Sequence, residues 1–174
     1  MNWKEAINSG ENGIYCWFLD EKLPTQFSYE EMEVDLISED SITKNDICRF
    51  DLQTIEVILK KTDDYIIQAI DYIKDCIRKS PKQFLLTEEE MDRCLKQAEK
   101  NKYIQVPDNN IEKYLSLSAS DFPVSMPNII FYPDKTWMIR FVESKLPTVN
   151  YGHGIGVFFN EKNEITKLEI FPEE

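Results

Sequence analysis

The residues that could do chemistry in this chain of 174 amino acids are few and scattered. Its one histidine, His153, lies in Tyr151-Gly-His-Gly-Ile-Gly156. Glycines at that density let backbone approach a ligand, as in a phosphate loop. A phosphate loop, however, runs from a strand into a helix and carries a Lys-Ser/Thr pair or GxGxxG spacing. Here the glycines lead into Val157-Phe-Phe159, a strand-forming run, so the stretch reads as a loop or bulge. One histidine cannot supply a His-rich zinc site. The four cysteines, Cys16, Cys48, Cys76 and Cys94, contain no CxxC pair to complete one. No metal and no cofactor are expected. A Cys/His153 dyad would have to be assembled in space from distant positions, and no Gly-x-Ser-x-Gly elbow is present. The cysteines read as free, mostly packed thiols of a reducing compartment, with Cys94 on the apolar side of a helix.

Carboxylates are plentiful and unevenly placed. Between Asp20 and Asp46 nine acids face two lysines, a net of −7 out of −12 for the chain, whose pI is about 4.6. The cluster lacks the Gly-turn of a D-x-D-x-D-G calcium loop. Such a surface repels phosphate backbones, which argues against nucleic-acid binding, and attracts a basic protein. The expected contact residues are Glu31, Glu33, Asp35, Glu39 and Asp40. The competing reading is a solvated acidic face that serves solubility alone.

These side chains must be positioned by a fold. With 42% hydrophobic and 30% charged residues, the composition is that of a folded globule, expected as a single domain over residues 1–174. Met1-Asn-Trp-Lys-Glu-Ala-Ile-Asn-Ser9 has no long apolar run, and no stretch of roughly 18 apolar residues occurs anywhere. A cytoplasmic protein with no membrane contact is the expectation.

Gly13–Leu19 reads as a first strand. Met32, Val34 and Leu36 alternate with Glu31, Glu33 and Asp35, the period of a half-buried strand with its acids in solvent. From Asp51 to Arg78, Ile55, Leu59, Thr62, Ile66, Ile70, Ile73 and Ile77 keep one helical face, with Asp51 as N-cap and Ser80-Pro81 as stop. Thr54–Leu59 also alternates and is β-branched, so a strand before a helix capped at Thr62 or Asp63 is the rival reading. The longer stripe favours helix, broken near Thr62. Thr87-Glu-Glu-Glu90 is a capping box ahead of Met91, Cys94, Leu95 and Ala98. Asp108–Leu117 is a weaker short helix, and Ser118–Met126 a loop. Two hairpins close the chain. Asn128–Tyr132 and Thr136–Glu143 flank Pro133-Asp-Lys135, while Gly154–Phe159 and Glu164–Phe171 flank Asn160-Glu-Lys-Asn163. The sum is an α+β fold: an antiparallel sheet, mostly of C-terminal hairpins, with central helices packed on one face.

Ile130-Phe-Tyr-Pro-Asp134 and Gly154–Ile170 resemble the closing hairpins of small bacterial cytoplasmic α+β domains. Several of these are similar to immunity proteins of polymorphic-toxin and contact-dependent inhibition systems. The resemblance implies a non-enzymatic protein that binds and blocks one toxin domain. It transfers no functional residue. The acidic charge agrees with a basic toxin as partner. The alternatives are a small enzyme with a site around a cysteine and His153, and a housekeeping interaction or scaffold domain.

Overall fold

The computed structural model describes residues 1–5, 15–21, 23–27, 32–38, 46–102, 109–146 and 154–171. Its strands are β1 (Trp3–Glu5), β2 (Tyr15–Leu19), β3 (Val34–Ser38), β4 (Val124–Phe131), β5 (Trp137–Ser144), β6 (Ile155–Phe159) and β7 (Ile165–Ile170). They form one sheet in the order of the chain. Five of the six strand pairings are antiparallel, and β3–β4 is parallel. A parallel pair needs a crossover connection, and this one holds every described helix. The helices are α1 (Leu52–Leu59), α2 (Thr62–Lys79), α3 (Glu88–Lys100) and α4 (Ile111–Leu115). This is the expected α+β architecture, joined at a parallel seam that local pattern does not announce.

The long apolar stripe forms the floor of the core. Ile55, Leu59, Thr62, Ile66, Ile70, Ile73 and Ile77 are all buried. The helix does break ahead of Thr62, whose hydroxyl donates to the Leu59 carbonyl at 2.8 Å, and Asp51 caps α1 by accepting from the Thr54 N–H at 3.1 Å. Helix wins over strand at Thr54–Leu59 because the stripe continues into α2 without changing face. Opposite it stand alternate sheet residues, among them Leu36, Ile129, Ile139, Phe141 and Val157, each with no exposed surface. At one end of this layer Trp137 stacks on Phe159 with ring centroids 4.0 Å apart.

The two hairpin turns share one design, a three-residue loop whose last residue is left-handed. Lys135 (φ 68°) and Asn163 (φ 63°) hold that position. Asn163 also accepts a hydrogen bond from the Trp137 indole at 3.1 Å. The strand before the first turn begins earlier than expected, at Val124, because Val124 and Ser125 pair with Ser144 and Glu143 and extend the ladder with β5 on the N-terminal side of Pro127.

Two of the glycines near His153 have packing reasons. Gly154 has φ +84°, and a Cβ there would overlap the Phe141 carbonyl. A Cβ on Gly156 would meet Met138 Sδ at 2.6 Å and the Phe171 ring at 2.7 Å. Both serve the sheet. His153 lies outside the described residues.

Candidate binding surface

The helices cover one face of the sheet, and the residues of interest lie on the other. Strand registers align Lys4, Phe18, Asp35, Ile130, Met138, Phe158 and Lys167 in one row across all seven strands. Side chains of a strand alternate between faces, so this row stands opposite the core layer of Trp17, Leu36 and Ile129. Ile130 and Met138 are nonetheless buried, while Phe18 is 37% exposed.

At the turn-bearing end of the row, a groove of about 670 Å³ is lined by Met138, Phe158 and Phe171, with Tyr132, Asp134, Thr136 and Lys167 on its walls. Two of its rings carry cations: Lys167 Nζ lies 4.2 Å from the Phe158 centroid, and the guanidinium of Arg140, from outside the lining, 5.3 Å from that of Phe171. Its carboxylates are engaged as well. Asp134 accepts from the Thr136 amide at 3.0 Å and hydroxyl at 2.6 Å, which fixes the turn, and Glu169 pairs with Lys167.

Of the acids expected to meet a partner, Glu33 is exposed. Asp35 departs from the expectation of a solvated side chain: it is half-buried, because β4 pairs alongside and presents Asn128 to it. Asn128 Nδ2 donates to the Asp35 carboxylate at 3.0 Å. Burial pushes the Asp35 carboxyl above its ordinary value, the Asn128 hydrogen bond draws it back, and the charge of Glu33 pushes it up again. Asn128 Oδ1 is buried without a hydrogen-bond partner. Glu31, Glu39 and Asp40 lie outside the described residues.

None of the four cysteines is in a disulfide. Cys94 is buried, Cys16 and Cys76 are half-buried, and Cys48 is exposed, the one departure from the packed expectation within the described set. Burial, with help from Asp35, pushes Cys16 up to about 11, and burial also raises Cys76. A nucleophilic cysteine needs the opposite shift. Among the described residues no group of three His, Cys, Asp or Glu side chains is placed to hold a metal ion. No described helix is long and apolar enough to cross a membrane.

The sequence reading missed Phe18 and Asn128. Cys16-Trp-Phe-Leu19 is apolar at every position, so alternation could not tell the core face from the outer one. Asn128 stands out as the polar residue beside Ile129-Ile-Phe131, and that is the signal it offered. Comparison of the chain with protein-family models, with curated proteins and with solved structures finds no match in any of the three.

Proposed function

We propose that this chain is a non-enzymatic, cytoplasmic binding protein, an immunity protein that neutralises a toxin domain of basic charge. The observation that supports the reading is Asp35 on the helix-free face of β3 with the exposed Glu33 just ahead of that strand, within a segment that carries −7 of the chain's −12 charge. Charges of one sign on an accessible face accelerate encounter with a partner of the other sign. The raised thiols of Cys16 and Cys76 weigh against either serving as the nucleophile of a Cys/His153 enzyme.

The test is growth protection. Co-expression with the toxin domain encoded next to it should rescue growth, and the purified pair should associate more slowly as salt rises while dissociation changes little. Failure to protect against any neighbouring toxin domain, with the protein folded and abundant, overturns the immunity reading.

A further inference from the structure

We propose that Asp35, Asn128 and Phe18 form an anchor for one cationic side chain of a basic protein partner, an arginine in the first place. The inference rests on the binding reading above and deepens it, by separating a specific contact from the diffuse acidic field around it.

Three neighbouring strands build the anchor. Phe18 on β2 is the register partner of Asp35 on β3, and Asn128 on β4 is hydrogen-bonded to Asp35 at 3.0 Å. The site therefore presents a half-buried carboxylate, an amide oxygen and an accessible ring side by side. It is rich in acceptors. One Asp35 oxygen receives the Asn128 amide, and Asn128 Oδ1 receives nothing although it is buried. A buried acceptor without a donor costs free energy that a ligand's N–H can recover. The terminal amide torsion is soft, so this oxygen can be turned toward an incoming donor as the ligand's own N–H takes over the Asp35 oxygen that Asn128 Nδ2 now holds.

The cations of this face are occupied elsewhere. Lys4, the register partner of Phe18, pairs with Asp20. Arg140, the register partner of Asn128, lies over the Phe171 ring. Glu33, two residues before Asp35 and just ahead of β3, adds negative charge. The raised carboxyl of Asp35 is what such a balance produces: a charged group taken from water without a cation to compensate it.

A guanidinium matches this set better than an ammonium. It is planar, carries five donors and no acceptor, sheds water readily, and stacks on an aromatic face. One edge of its fork can take the carboxylate and the other the Asn128 oxygen, while its plane lies on Phe18. Glu33 and Asp20, both outside that triangle, act on the rate of encounter.

The test is a titration followed by NMR. The probes are a short peptide alternating arginine and glycine, and the same peptide with lysine. Saturable shifts are expected at Phe18, Asp35 and the Asn128 side-chain amide, and tighter with arginine. Asp35→Asn should weaken binding by about tenfold or more, because a partly buried charge pair is lost. Phe18→Leu should weaken it a few-fold while keeping apolar bulk, and Glu33→Gln by about twofold or less, as exposed charges do. Asp35→Asn retains an acceptor for Asn128, and an undiminished thermal midpoint verifies its fold. If Glu33→Gln weakens binding as much as Asp35→Asn, or if no saturable shift appears at the three residues, the anchor is wrong. The immunity reading would still stand or fall on growth protection.

Discussion

Helices α2 and α3 draw on opposite sources of stability. The start of α3 is locally complete. Thr87 accepts from the Glu90 N–H, Glu90 reaches back to the Thr87 N–H, Glu88 and Glu89 fill the first turn, and Lys100 sits in the last. Yet Cys94 is its one buried residue, and Leu95 is 47% exposed. At the start of α2, Lys61 makes no side-chain capping bond. Seven residues of α2 are buried all the same, and Ile66, Ala69 and Ile73 have no exposed surface. Caps decide where a helix begins and contribute about 1 kcal/mol each. Burial decides how firmly a helix belongs to the fold, because truncating one buried isoleucine costs several times that.

The largest effect should come from the core side of this contrast. Ile73→Ala should lower the unfolding free energy by about 2–5 kcal/mol in urea titrations, the cost of a cavity that its neighbours cannot close. Leu95→Ala, an apolar truncation of the same kind in α3, should cost about 1 kcal/mol or less. Equal losses would break the comparison, since they would mean that α3 is held by contacts its exposure does not reveal.

A smaller effect isolates the cap. Thr87→Ala should remove about 1 kcal/mol of local helix stability. Amide hydrogen exchange should quicken through the first turns of α3 and stay unchanged in α2. If α2 quickens in step, the two helices open as one unit.

The smallest effect is a pH dependence of opposite sign in two places. The Glu90 carboxylate accepts from the Thr87 amide and hydroxyl, which holds it below the ordinary value. Its contribution is full above the unfolded-state pKa and is lost as pH falls through the lower, folded one. Acidification should therefore loosen the start of α3. Asp35 is held above its ordinary value, so the folded protein takes up that proton first and the same acidification favours β3. Asp35→Asn should flatten the β3 response. It should also lower the Cys16 thiol from about 11 by the smaller share that Asp35 contributes, leaving the larger share due to burial. Alkylation rates of Cys16 against pH measure this directly. An unchanged profile would show that the carboxylate does not act on the thiol.

What could be read in the sequence follows the same division between local and distant causes. The stripe from Ile55 to Ile77, the Thr87 box and both hairpin turns are local patterns, and each appears where it was expected. The β3–β4 seam was hidden, because nothing near Val34 points to Ile129. The burial of Asp35 was hidden for the same reason, since the strand that covers it lies far along the chain. Strand β1 is three residues long, too short for any period to show.

The seam also has a kinetic meaning. Each hairpin closes over a few residues, whereas the Asp35–Asn128 bond joins positions 93 apart. Loop-closure entropy grows with the logarithm of length, so this junction starts about 3 kcal/mol behind a tight turn. The C-terminal hairpins should form early and the docking of β3 onto β4 late. A ligand that grips Asp35 and Asn128 together would therefore act as a clasp across the last junction to close, and would slow its reopening more than it speeds its closure.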